Sequence, residues 1–382
     1  MRSNSRTEYL IMTDSLDIGG KQRIALDQAY YLHSIGFKVK IIMLNQATES
    51  NLAMLEMDLK FSILPRFEIT SLAGPRPKQF LKLIYLFAKT RQGFVVISHS
   101  TKACVLSRVA SFVFPKALVI HTMNQSLALS SRKQAFTISF YALFSHHLLA
   151  GCQPFIEEWN LYVNSTKLKK ILFSRKVITL NRNGLFIPRL LSSINTKQNM
   201  NCDVKGILYL GRVKEWKGTK IFGQISNRVN NKGIKSILAI PNLLADSQQH
   251  FFGKIDIPME QIIGKPPTQI PGLNNIVHIY PADYGVNSTF YESISLNVME
   301  LLCLGVPSII SENGRSTWPE LLNYSMLQDC NWNSLDEIEA SLEKLFSLSE
   351  SQKLEAKPLA QNIFSIENNL EGIFKIVQES AK

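Results

Sequence analysis

Acidic side chains are missing from a long part of this chain. Between Ile69 and Ile156 there is none, whereas ten Lys and Arg residues, from Arg76 to Lys133, fall in the same stretch. Residues 1–190 carry 25 Lys and Arg against 10 Asp and Glu, and residues 191–382 carry 17 against 20, so the formal charge of +12 is almost wholly N-terminal. A field of one sign over half a protein draws anionic membrane, nucleic acid or a phosphorylated substrate. Long apolar runs are also missing. The longest, residues 136–150, is broken by Thr137, Ser139, Ser145, His146 and His147, and it falls short of the ~20 residues of a bilayer-spanning helix. The polar start from Met1 to Arg6 lacks the apolar segment of a secretory signal, and a cytoplasmic location is expected. Cysteine is scarce, and Cys104, Cys152, Cys202, Cys303 and Cys330 stand far apart with no Cys-x-x-Cys pair; free thiols in a reducing compartment fit that pattern. Gly and Pro together make 34 of 382 residues beside 45% apolar content, which excludes collagen-like and disordered classes and leaves length for two domains.

What is present is an alternation of short apolar strands and helical stretches. Tyr9 to Met12 reads as a strand, a polar loop reaches Gly19-Gly20, and Ile24, Ala25, Leu26, Ala29, Leu32 and Ile35 then recur near a period of 3.6 before Gly36. Residues 39–44 form the next expected strand, giving a β-turn-α-β unit of parallel-sheet type. Residues 94–97 and 117–120 repeat the strand pattern around a helical stretch at 102–112, and each is expected to end in a histidine-bearing loop, at His99 and His121. Ligands of open α/β sheets collect at the carboxyl ends of strands, so those loops are expected at a crevice. A second α/β unit starts near Lys205, with strands expected at 206–210, 236–240, 276–280 and 307–311 and helices at 219–229 and 298–304. Residues 191–204 are polar and aperiodic and read as a linker. Residues 334–349 and 366–379 read as further helices.

Two segments carry chemistry. Gly211-Arg212 and Lys217-Gly218 follow directly on the strand ending at Leu210. A diphosphate suits such a loop, with Arg as a bidentate fork, Lys as a point charge and glycines permitting close approach. About eighty residues later a loop with Glu292 runs into a helix expected to be capped by Asn297 and stopped by Gly305, with Glu300 in its first turn. Free N–H groups at a helix start bind phosphate, and the two carboxylates can accept hydrogen bonds from sugar and ribose hydroxyls.

In this order and spacing the residues resemble GT-B glycosyltransferases, and more narrowly glycosyltransferase family 4. The resemblance runs through the Gly19-Gly20 loop with Arg23, His121, Asn183-Gly184, Gly211-Arg212 with Lys217-Gly218, Glu292 and Glu300 seven residues apart, Gly305-Val306-Pro307, and Phe364-Ser365-Ile366-Glu367. It implies an α/β fold of two Rossmann-like, doubly wound domains facing each other across a cleft. Residues 1–190 would bind the acceptor, 205–365 the nucleotide sugar, and 366–382 would be a terminal helix crossing back. The implied activity is a retaining, metal-independent transfer from a UDP- or GDP-linked sugar to a glycan or lipid-linked acceptor, in cell-surface polysaccharide synthesis. Arg212 and Lys217 would stabilise the leaving diphosphate, with no Asp-x-Asp motif present for a metal. Glu292 would orient the donor sugar and Glu300 the ribose, with Gly19, Gly20, Gly211, Ser295, Leu296 and Asn297 also on the donor side. His121, His99 and Arg23 would lie toward the acceptor, His121 beside the transferring sugar. The chain departs from the family at Ser295, where glycine is usual, and at Gln22, where an acid is common.

Other classes fit less well. A glycoside hydrolase needs two carboxylates but no phosphate loop. A dinucleotide dehydrogenase needs Gly-x-Gly-x-x-Gly, which Gly19-Gly20 does not supply. A nucleic-acid module is not expected, because no named motif or aromatic-basic interleaving appears. A catalytically silent homologue, or an anion- or nucleic-acid-binding module using the basic N-terminal face, stays as the alternative, and that face suits the anionic inner membrane leaflet.

Overall fold

A computed structural model describes the chain except for residues 1–6, 17–19, 46–67, 91–92, 115, 124–144, 174–177, 193–204, 214–216, 241–258, 264, 266, 271, 282–293, 312–314, 316–317 and 381–382. The chain divides into two compact units, residues 1–192 with 365–382, and residues 193–364.

The first unit is built on seven parallel strands: β1 (Glu8–Thr13), β2 (Lys38–Met43), β3 (Glu68–Ser71), β4 (Phe94–Ser98), β5 (Ala117–Met123), β6 (His147–Ala150) and β7 (Ile178–Leu180). Their order is β3-β2-β1-β4-β5-β6-β7. Central strands of such a sheet are covered on both faces, which is why they read as continuous apolar runs. In β1, Tyr9 and Ile11 join one core with Ala25, Ala29 and Leu32 of the helix Gly20–Ser34. Leu10 and Met12 join another, with Leu83 and Phe87 of the helix Arg76–Lys89 and Ala103 and Ala110 of the helix Thr101–Val113.

Residues 365–380 return to this unit. Ile366 N–H donates to Leu185 O at 2.9 Å, and Ile366, Leu370, Ile373 and Ile376 complete the first core. The backbones meet so closely that a Cβ on Gly184 would lie 2.6 Å from Ile366 Cα, which accounts physically for glycine at that position. The single terminal helix expected over 366–382 is two, Ile366–Asn369 and Glu371–Ser380, separated at Leu370. A buried ion pair joins the helix Gly20–Ser34 to the helix Ile187–Ser192: Arg189 grips Asp27 through Nε to Oδ1 at 2.7 Å and Nη2 to Oδ2 at 3.1 Å.

The second unit has six parallel strands: β8 (Gly206–Leu210), β9 (Lys235–Ile240), β10 (Glu260–Ile263), β11 (Ile276–Ile279), β12 (Ser308–Ser311) and β13 (Leu327–Cys330), in the order β10-β9-β8-β11-β12-β13. Counted from its own first strand, each sheet therefore starts 3-2-1-4-5-6. The order reverses between β1 and β4 and between β8 and β11, and such switch points open a crevice at the strands' carboxyl ends. Ile207, Tyr209, Val277 and Ile279 pack on Phe222, Ile225 and Val229 of the helix Thr219–Asn230. Leu208, Leu210 and Ile276 pack on Leu301 of the helix Leu296–Leu304.

Among the described residues no helix is long and apolar enough to cross a membrane. Cys104, Cys152, Cys303 and Cys330 are buried free thiols; Cys202, residues 136–144 of the long apolar stretch and residues 193–204 of the expected linker lie outside the described residues.

Candidate active site

In the second unit the loop after β8, the end of β11 and the start of the Leu296–Leu304 helix converge. Asn297 Nδ2 donates to Leu210 O, the last carbonyl of β8, at 3.0 Å. This bond pins the helix start over the strand end. Gly211 stands beside Asn297, where a Cβ would lie 3.7 Å from Nδ2. Tyr209 Oη donates to Arg212 O at 2.9 Å, fixing the loop backbone while the Arg212 side chain stays exposed. Lys217 is half-buried, donates to Tyr280 Oη just past β11, and has its ammonium 4.9 Å from the centre of the same ring. Gly218 follows in the left-handed region at φ 67° and seats against Pro281, where a Cβ would be 1.8 Å from the Pro281 oxygen.

The helix differs from the expectation in its start. Ser295, not Asn297, is the N-cap: its hydroxyl accepts from Val298 N and its carbonyl from Met299 N. Asn297 is thereby released to bond β8. Glu300 sits in the second turn rather than the first, fully buried, three residues on from Asn297 and so on the same helix face. Burial, and secondarily the Glu300 carboxylate, raises the Cys303 thiol above its ordinary pKa. At φ −67° the N-cap makes no demand for glycine, so serine fits the position and supplies a cap. The N–H groups of Leu296 and Asn297 belong to the first turn, where helix geometry supplies no acceptor. Gly305 ends the helix in the left-handed region, as the sequence suggests.

Beneath Tyr280, His278 is fully buried in β11, with Nδ1 3.3 Å from Ser308 Oγ and Nε2 without a hydrogen-bond partner. Burial lowers its pKa to about 3. The folded protein thus resists a proton that the unfolded chain takes up near pH 6.5, so this contribution to stability is complete above pH 6.5 and is lost as pH falls from there toward 3. Between pH 6.5 and 5 the loss from this group is about 2 kcal/mol, at ~1.4 kcal/mol per unit. Urea unfolding of His278→Leu is expected to show a shallower decline over that interval than the wild type; equal slopes would contradict it.

In the first unit, Gly20 begins the helix after β1 and is exposed, and Arg23 is half-buried one turn on. His99 follows β4, while His121 lies inside β5, which runs on to Met123. The expectation of a histidine loop after residue 120 is corrected: Ile120, His121, Thr122 and Met123 all pair with β6. Both histidines are buried and hydrogen-bonded. His99 Nε2 lies 2.9 Å from Gln28 Oε1 and its Nδ1 3.2 Å from Thr122 Oγ1. His121 Nδ1 lies 3.1 Å from Ser98 Oγ and 3.2 Å from Ser98 O. At the end of β1, Asp14 accepts from Ser100 Oγ at 2.8 Å. Gly19 and Glu292 lie outside the described residues.

Sequence reading missed Tyr280, Pro281, Asp14 and the Asp27–Arg189 pair. Only Tyr280 has a local signal, a polar aromatic at the end of a buried strand. Among the described residues no group of three or more His, Cys, Asp or Glu side chains is placed to hold a metal ion.

No protein-family model matches the chain, and no curated protein matches it. Solved structures do. An α-glucosyltransferase in complex with UDP and a 13-mer DNA containing an HMU base is 10% identical at TM-score 0.70, over 97% of this chain and 99% of that one. A glycosyltransferase from Rickettsia africae is 14% identical at TM-score 0.68, over 98% and 99%. HepE from Anabaena, in complex with UDP, is 12% identical at TM-score 0.66, again over 98% and 99%. The fold of this chain is the GT-B fold of glycosyltransferases.

Proposed function

We propose that the chain is a retaining, metal-independent glycosyltransferase resembling family 4, moving a sugar from a UDP- or GDP-linked donor to a glycan or lipid-linked acceptor in cell-surface polysaccharide synthesis. Because a fold hosts many chemistries, the reading rests on the site. The observation that carries it is the convergence of the Arg212–Lys217 loop with the pinned helix start at Asn297 in the β8–β11 crevice. That arrangement offers two cations and first-turn N–H groups to one diphosphate.

The chemical demand is negative charge growing on the diphosphate as the glycosidic bond breaks. Fixed donors aimed at that charge lower the barrier without reorganising. Arg212 and Lys217 take that role, supplying the positive charge that a metal gives other transferases. Glu300, held on the Asn297 face, takes the ribose hydroxyls, and Glu292 the donor sugar. UDP bound to structures of this fold supports a uridine donor. Toward the acceptor we place Arg23, His99 and His121; the two histidines' hydrogen bonds make a positioning role the one their geometry supports.

The test is incubation with a panel of UDP- and GDP-sugars, following release of nucleoside diphosphate and of any altered sugar. Lys217→Ala is expected to lower turnover about 10²–10³-fold, the cost of removing one charge-stabilising donor, with the fold unchanged by circular dichroism. Wild-type turnover in that variant, or absence of donor binding in the native chain, would defeat the reading.

A further inference from the structure

Two helices of the first unit, Gln153–Asn164 and Lys167–Phe173, form a hairpin after β6. Its inner side is closed by rings: Trp159 and Phe173 meet edge to face at 5.3 Å, with Tyr162 beside both. Its outer side is unusual. Leu168, Ile171 and Leu172 recur at i, i+3 and i+4, the spacing that ordinarily faces a core, yet they are 66%, 67% and 48% exposed, and Leu161 on the first helix is 74% exposed. Lys167 and Lys170 interleave with them and are exposed too. Between Glu158 and Asp203 the chain has no acidic residue.

Large aliphatic side chains held in water beside lysines, with the hairpin's two acids, Glu157 and Glu158, confined to the turn before Leu161 on the first helix, match the interface of an anionic bilayer, which takes the apolar stripe below its headgroups and the ammonium groups among them. Nucleic acid would gain nothing from the aliphatics, since it binds cations and stacking rings. A symmetric second copy would set the lysines of both copies against each other. Lys169 lies over the Tyr162 ring of the hairpin at 3.7 Å, as Lys89 lies over Tyr85 and Arg108 over Phe112 elsewhere on the unit, where Leu81 and Val113 are exposed as well.

We propose that the 153–173 hairpin is the element by which the first unit docks on anionic lipid membranes, inserting Leu161, Leu168, Ile171 and Leu172 at the headgroup boundary. The inference is independent of sugar transfer. It assigns to one hairpin a contact that net charge alone spreads over a whole domain.

Flotation of the full chain with phosphatidylcholine vesicles, with and without phosphatidylglycerol, tests it. Binding is expected only with phosphatidylglycerol, weakened but not abolished at high salt, because the apolar part of the contact is unscreened. Leu161→Gln/Leu168→Gln is expected to weaken partitioning roughly tenfold or more with unchanged thermal unfolding, since both side chains are exposed. Lys167→Gln/Lys170→Gln should remove the preference for anionic lipid. The proposal is overturned by no flotation at low salt, by undiminished binding of the leucine variant, by equal binding to phosphatidylcholine alone, or by the leucine substitutions dissociating a dimer that does not float.

Discussion

Gly218→Ala is expected to lower the melting temperature of the second unit by roughly 6–12 °C and to remove donor binding with it. Two costs add at this residue. The left-handed backbone at φ 67° costs a non-glycine residue ~1–2 kcal/mol, and a Cβ placed 1.8 Å from the Pro281 oxygen forces a backbone shift of the kind that costs ~1–3 kcal/mol. Together they reach about 3 kcal/mol, at ~2–4 °C per kcal/mol for a unit of this size. The shift is functional as well as structural, because Pro281 follows Tyr280 and Gly218 follows Lys217. Prising Gly218 from Pro281 therefore moves the ammonium and its aromatic partner apart. Gly233→Ala is the control: its φ is 72° with open space around the Cβ position, so it carries only the backbone cost. A melting temperature for Gly218→Ala no lower than that of Gly233→Ala would refute the account, and so would calorimetry showing donor affinity intact.

Arg189→Ala is expected to destabilise the first unit by about 3–5 kcal/mol, the cost of leaving a buried charge without its partner. Asp27 is inaccessible to water and Arg189 nearly so, and the fork between them ties the first helix to the helix Ile187–Ser192. The pair's net worth is a different quantity from the cost of breaking it. Asp27→Leu/Arg189→Met removes both charges and is expected to recover most of the loss, since well-packed apolar replacements of buried pairs are often neutral or better. Urea unfolding of the single and double variants closes the cycle. An Arg189→Ala protein within ~1 kcal/mol of wild type would mean that water or another group compensates Asp27.

Local rules carried the sequence reading wherever an element is buried on both faces. β8 is legible to the residue, because a parallel strand between two cores is a plain apolar run. Edge strands were not legible. β3 and β10 are short and half-exposed, with Glu68, Thr70, Glu260 and Gln261 in them, and no period separates such segments from loops. β5 was read short because His121 and Thr122 look like loop residues until β6 is known to pair with them. The helix start at Leu296 was misplaced because Ser295 and Asn297 are both good caps, and the choice depends on a carbonyl 87 residues away. Of the candidate site, the loop cations were legible from their place after a strand. Their setting was not: Tyr280 stands 63 residues from Lys217, and Arg189 162 from Asp27. Such partners are chosen by topology.

The return of residues 365–380 to the first unit bears on how the chain is made. Unit 2 interposes 172 residues between Ser192 and Ser365, so at ~5–20 residues per second a nascent chain waits roughly 10–35 s for the segment that completes the core of Tyr9 and Ile11. In that interval unit 2 can mature while the core around Tyr9 and Ile11 still lacks Ile366, Leu370, Ile373 and Ile376 and is open to chaperones and to mispairing. A stop codon after Phe364 would spare every residue of the loop around Lys217 and still leave the first unit's core without Ile366, Leu370, Ile373 and Ile376.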